Sequence, residues 1–231
     1  MFNLTWGILF VLVNFTLFTV SYRLFGKSGL YAWVAFATVI ANIQVVKTIE
    51  VAGVITTLGN TIYASIYMAT DLLNEKYGPQ AARKAVWFGF FTLIASTIMM
   101  QMALVFTPQP GDLAQESLQT IFGMLPRLAL ASLAAYFISQ LLDVRLFSYL
   151  RQRFPARSQL WIRMNGSTTL SQLVDSLVFC TIAFLGQYSF VVWLQILFTT
   201  YLFKFVISVA STPVLYIARR YHHPDDHQST V

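Results

Sequence analysis

The chain is divided into apolar runs of about the length a helix needs to cross a bilayer, with most charges gathered in the connections between them. A helix rises about 1.5 Å per residue, so roughly 20 apolar residues bridge about 30 Å of hydrocarbon. That ruler predicts seven spans, at Leu4–Tyr22, Gly29–Val46, Val51–Thr70, Ala85–Phe106, Ile121–Leu142, Thr168–Gly186 and Phe190–Ala218. Of the 231 residues, 57% are hydrophobic and 10% charged, against about 45–50% and 25% in a soluble domain. A water-soluble fold of this size could not hide so much apolar surface. The expected fold class is therefore all-α: a polytopic membrane protein, a single bundle of about seven transmembrane helices over residues 1–220 and a polar tail over 221–231. Leu4–Tyr22 has no basic stretch before it and runs into Arg23 without a small-residue cleavage site, which reads it as a helix and not a signal peptide.

The basic residues are distributed unevenly among the connections. Arg23 and Lys27, then Lys76, Arg83 and Lys84, then Arg145, Arg151, Arg153, Arg157 and Arg163, then Arg219 and Arg220 fall on one side, and Lys47 alone on the other. The positive-inside rule then places the N-terminus outside and the C-terminus in the cytoplasm. The net charge of +6 is thus topological and does not point to nucleic acid. The outer connection Thr107 to Thr120 reads as a polar loop. The longest inner one, Asp143 to Ser167, mixes Arg with Phe147, Tyr149, Phe154 and Trp161, as an interfacial segment facing anionic lipid does.

Several chemistries are excluded by what lies within the spans. The single cysteine, Cys180, sits in an apolar run and reads as a small buried hydrophobe. All three histidines, His222, His223 and His227, lie in the tail. An intramembrane His metal site, proton relay or Ser–His protease is therefore not expected, and neither is any metal, cofactor or enzymatic activity. With no Gly-rich phosphate loop, the energy source is an ion gradient, a partner protein or the substrate's own gradient.

Against that apolar background a few polar residues stand out. Thr70-Asp71-Leu72-Leu73-Asn74-Glu75-Lys76-Tyr77-Gly78 places Asp71, Asn74 and Glu75 on one helical face, which continues backwards through Tyr67, Tyr63 and Asn60. Such a stripe reads either as the lining of a cavity or as the first hydrated turn beyond a span. Lys204, with Thr200, Ser208 and Ser211 on its side, lies mid-way along the last span, and Asp175, aligned with Thr168, Ser171 and Gln172, lies in the span before it. An ionised side chain at the bilayer centre costs about 2.5–3.5 kcal/mol on insertion scales, so it needs a partner, water or a task. Because consecutive helices are usually neighbours, Asp175 and Lys204 are expected to face one cavity and neutralise each other, as a binding site or as a structural ion pair. Arg127 reads equally as an interfacial snorkelling cation or as a ligand. Lys47 reads as a boundary cation. Asn42 and Asn60 are amides able to join helices or to read the edge of a base. Ala131, Ala134 and Ala135 offer a small-residue face for packing within the bundle or for a homodimer contact.

Taken together, A-N-I-Q-V-V-K (Ala41 to Lys47), L-G-N (Leu58 to Asn60), T-D-L-L-N-E-K-Y-G, the block from Arg127 to Val144, S-T-T-L-S-Q-L-V-D-S (Ser167 to Ser176), and Lys204 with Thr212-Pro213 resemble the queuosine-precursor transporter family, also called the vitamin uptake transporter family. The resemblance extends over most of the chain. Its departure is the first helix, which adds to the six-helix core of that family.

What the resemblance implies is import, across the bacterial cytoplasmic membrane, of 7-deazaguanine bases such as 7-cyano-7-deazaguanine, 7-aminomethyl-7-deazaguanine or queuine, precursors of the tRNA base queuosine. The expected partners are a purine-like small molecule and lipid. On this reading Asp71 or Asp175 accepts from the amidine-like edge, Lys204 and Arg127 meet acceptors, and Asn42, Asn60 and Gln172 complete the pocket. Tyr63, Tyr67 and Phe179 stack on the ring, and Glu75 sets the cytoplasmic mouth. The alternatives are a vitamin-binding subunit of an ATP-driven system and a non-transporting membrane sensor.

Overall fold

The computed structural model describes residues 2–45, 47–51, 54–123, 126–186, 189–221 and 223. Helices α1 (Phe2–Gln44), α2 (Gly59–Tyr77), α3 (Pro79–Val105), α4 (Gln115–Leu118), α5 (Pro126–Arg153), α6 (Leu160–Phe184) and α7 (Phe190–Arg220) make up almost all of it. A short ribbon pairs β1 (Thr48–Val51) with β2 (Val54–Thr57) antiparallel, Thr48 facing Thr57. Among the described residues five stretches are long and apolar enough to cross a bilayer: Phe2–Gln44, Pro79–Val105, Leu130–Arg153, Arg157–Phe184 and Trp193–Arg220. The protein is a multi-pass membrane protein.

Helix α1 reverses at Gly26, whose φ of 54° and ψ of −134° lie outside the helical region. A positive φ of this kind suits a residue without a Cβ. On either side of it the Ser21 hydroxyl donates to the Gly29 carbonyl at 3.1 Å, and the Phe18 and Trp33 rings meet edge-on at 5.9 Å. Contacts symmetric about Gly26 mean that segments 2–25 and 27–44 run back along each other.

The segment expected to span from Val51 is divided differently. The β-branched stretches T-I-E-V and V-I-T-T pair as the ribbon, and the helix begins only at Gly59. Helices α5 and α6 are also longer than the hydrophobic ruler predicts. They run through Asp143 to Arg153 and start again at Leu160, so the expected loop from Asp143 to Ser167 shrinks to a short connection containing a 3-10 turn at Arg157–Gln159. The reason is burial of charge against protein. Phe147 is in the core, and Tyr149 and Trp161 face outward, so this stretch is helix packed on helix and not a free interfacial segment.

Helix α2 is the axis of the bundle. It packs against α1, α3, α5, α6 and α7, and from Ala64 to Glu75 every residue is buried. Being surrounded by protein, it has no lipid-facing side that must be apolar, which explains why it can carry Asp71, Asn74 and Glu75. Its neighbours are apolar outward and polar inward. On α6, Leu170, Leu173 and Leu177 are exposed while Ser167, Ser171, Gln172 and Asp175 are buried. Phe198, Leu202, Val206 and Val209 form the corresponding outer face of α7. An apolar surface around a polar interior is the inverse of a soluble bundle and fits hydrocarbon solvent.

Candidate functional site

A buried polar file runs down α2 from Tyr63 to Glu75, about 18 Å at helical rise. Tyr63, Tyr67, Asp71 and Glu75 recur every fourth residue, so they stack on one side of the helix. Helices α5, α6 and α7 supply the facing groups.

At one end lies the pair formed by Asp175 of α6 and Lys204 of α7. Lys204 donates to Asp175 Oδ2. Asp175 Oδ1 accepts from the Tyr63 hydroxyl at 2.9 Å and from Ser139 of α5 at 3.0 Å. Tyr67 in turn donates to Ser139 Oγ at 3.0 Å. The Lys204 ammonium also lies 5.0 Å from the centroid of the Tyr63 ring, within cation–π range. Asp175 is 2% exposed and Lys204 5%. Four helices thus contribute to one charged centre between two tyrosines. One turn before Asp175, Gln172 is fully buried, yet neither its carbonyl oxygen nor its amide nitrogen has a hydrogen-bond partner among the described residues.

The middle of the file is a nest of acids and hydroxyls. Thr168 of α6 donates to Asp71 Oδ2 at 3.2 Å. Asp143 of α5 faces Asp71 and is surrounded by Ser167, Thr168 and Ser171. Thr70 reaches Gln140 Oε1 at 3.4 Å.

At the other end Asn74 donates to the Val144 carbonyl and to Ser148, each at 3.1 Å, and Arg151 donates to the Asn74 carbonyl. Glu75 Oε1 accepts from Arg163 of α6 and Arg219 of α7, both at 2.8 Å. Beside this clasp a cavity of about 630 Å³ is lined by Glu75, Lys76, Arg157, Tyr216, Arg219 and Arg220 among others. Lys76 donates to the Tyr22 hydroxyl and the Tyr221 carbonyl, and Arg23 covers the Tyr221 ring at 5.4 Å. Basic residues from separate connections therefore converge on one end of the bundle.

The structure brings Asp175, Lys204, Tyr67, Gln172, Asp71 and Glu75 into this file, and other expected site residues lie elsewhere. Arg127 is exposed and donates to the carbonyls of Ile182 and Leu185 at 2.8 and 3.0 Å, closing the end of α6. Ile182 is seven residues beyond Asp175, about 10 Å along the helix. Asn42 donates at 3.0 Å to Thr38 of its own helix. Asn60 belongs to α2, but its side chain lies outside the described residues. Lys47 is exposed beside the ribbon.

Residues 57–218 match the model of a family described as "Putative vitamin uptake transporter". A protein of Bacillus subtilis named "Probable queuosine precursor transporter" is 50% identical over the full length of both chains. One of Haemophilus influenzae with the same name is 32% identical over 66% of this chain and 63% of its own. The Escherichia coli "Queuosine precursor transporter" is 30% identical over 73% of this chain and 75% of its own. No solved structure matches the chain. Covering more than half of the sequence, and joined by a full-length relative, the family match places this chain in the vitamin uptake transporter family.

Proposed function

We propose that this protein imports 7-deazaguanine precursors of queuosine, with the base bound between Asp175, Lys204, Tyr63, Tyr67 and Gln172. The observation that carries the reading is Gln172. A buried amide without partners costs about 1–3 kcal/mol per unsatisfied group, and this one sits a single turn from a charged pair bounded by aromatic rings. A guanine-like edge offers N–H donors to a carboxylate and to an amide oxygen, and its carbonyl accepts from an ammonium or an amide N–H. Asp175, Lys204 and Gln172 supply that set, and the tyrosines supply stacking surface.

On this reading the Asp175–Lys204 bond is the resting contact that an arriving base exchanges for its own. Glu75, with its two arginines, closes the path on the side of the 630 Å³ cavity, which the concentration of basic residues makes the cytoplasmic side. The two arms of α1 count as separate crossings, giving seven with the N-terminus outside and the C-terminus in the cytoplasm of a bacterial cell. Residues 1–220 act as one transporting domain without catalytic chemistry of their own, residues 221–231 as its tail. Lipid contacts the apolar outer face, and Ala131 and Ala135 of α5, buried within the bundle, pack its own helices and not a second copy. Alternating exposure of the central site to each side completes transport.

The test is uptake of labelled 7-cyano- and 7-aminomethyl-7-deazaguanine by cells unable to make the base. Uptake is expected to vanish in Asp175→Ala and Lys204→Ala, with the protein still present in the membrane. Normal uptake with both residues replaced refutes the site.

A further inference from the structure

The acids at the middle of the file have a role that the Asp175–Lys204 centre does not need. Asp71 is 1% exposed and Asp143 0%. Asp143 is the carboxylate neighbour that acts most strongly on Asp71, and Asp71 Oδ1 and both oxygens of Asp143 lack a hydrogen-bond partner among the described residues. Ionised carboxylates only accept, so two of them buried as neighbours need something positive close by. Among the described residues no Lys or Arg forms an ion pair with either. Glu75, one turn along α2 from Asp71, is held by Arg163 of α6 and Arg219 of α7. Tyr67, the other titratable group of α2 acting on Asp143, brings no positive charge. From α6, the hydroxyls of Ser167, Thr168 and Ser171 act on Asp143. Of these, Ser171 is fully buried, directed at Asp143 and without a hydrogen-bond partner of good geometry.

We propose that Asp71 and Asp143 together bind one proton, and that its uptake and release drive the passage of substrate through the neighbouring site. This rests on the transporter reading above. The step balances simply: a proton from the outer solution forms an O–H bond on one carboxylate, the second accepts from it, and the same proton leaves to water at the opposite face. The route to that face is short, since Glu75 lines the 630 Å³ cavity. Coupling to the base runs through two helices. Tyr67, one turn from Asp71, donates to Ser139, which donates to Asp175, and Ser139 lies one turn from Asp143.

The full-length protein in liposomes tests this, with labelled 7-aminomethyl-7-deazaguanine as the probe. With the membrane potential clamped, a gradient of one pH unit, acid outside, is expected to raise the accumulation ratio by up to about tenfold at one proton per substrate, and a protonophore to abolish the gain. Asp143→Asn is expected to lose the response while retaining exchange of labelled for unlabelled base. Infrared spectra of the purified wild type are expected to show a protonated buried carboxyl band that both Asp71→Asn and Asp143→Asn remove. Exchange without any response to the proton gradient overturns the coupling and leaves the transporter reading standing. A response to a sodium gradient alone assigns the site to a metal ion and overturns the proton. Absence of exchange in the wild type defeats the transporter reading itself, and the infrared band then still decides whether the pair holds a proton.

Discussion

Asp175 on α6 and Lys204 on α7 neutralise each other inside the bundle, 29 residues apart in sequence, with Tyr63 of α2 contacting both partners. Removing one member of a buried ion pair leaves an uncompensated charge and costs about 3–5 kcal/mol, whereas replacing both is often near neutral. Asp175→Asn and Lys204→Gln are each expected to lower the thermal midpoint of the detergent-solubilised protein by that equivalent, and the double variant to recover most of the loss. Uptake should remain lost in all three. A double variant that recovers uptake along with stability would show the pair to be structural only.

Gln172 separates stability from function in the opposite direction. Its polar atoms are buried without partners, so replacing it with Leu, of similar size, removes an unsatisfied group. Gln172→Leu is expected to leave the thermal midpoint unchanged or raised by an equivalent of about 1–3 kcal/mol, while substrate affinity falls by tenfold or more. Measuring midpoint and binding on one preparation checks both halves, and a destabilised variant with normal binding is the contrary result.

The features legible in the sequence were those that hydrocarbon imposes. Long apolar runs announced the helices, and their exceptions, Asp71, Asp175 and Lys204, marked the buried file. What a hydropathy ruler cannot register is a charge satisfied by protein beyond the apolar run. Asp143 and Arg163 therefore read as loop residues, though α5 and α6 carry both into the core, Arg163 at 1% exposure. Ser139 is silent for another reason: a serine in an Ala-rich helix gains meaning only once Tyr67 and Asp175 are known to flank it. Arg127 shows the reverse, since its attachment to the carbonyls of α6 depends on where that helix ends. The ribbon at Thr48–Val51 and Val54–Thr57 could have been suspected from its β-branched residues. An apolar count alone merges it with the helix that follows.

The Glu75 clasp predicts unequal effects from two arginines. Arg163 is almost fully buried, whereas the Arg219 side chain is 21% exposed. Screening and solvation discount the more exposed partner. Arg163→Ala is expected to cost about 3 kcal/mol of stability and Arg219→Ala about 1 kcal/mol or less, measured as thermal midpoints of the solubilised variants. Raising the salt concentration should narrow the gap between Arg219→Ala and wild type and leave that for Arg163→Ala unchanged.

The last prediction concerns how closely α2 is seated against α1. A Cβ on Gly59 would lie 2.6 Å from the Ala41 carbonyl oxygen and 3.2 Å from the Val45 nitrogen. These are backbone atoms, so the contact cannot be relieved by rotating a side chain, and the two helices must move apart at the start of α2. Tyr63, one turn further on, would be carried with it, loosening its bond to Asp175. Overpacking of this kind costs about 1–3 kcal/mol. Gly59→Ala is expected to show that loss together with weakened substrate binding. Gly7→Ala is the control: nothing lies within 4 Å of its added Cβ, and a helical Gly-to-Ala change there should be neutral or stabilising. If Gly59→Ala behaved like Gly7→Ala in both measurements, the spacing of α1 and α2 would not govern the geometry of the buried file.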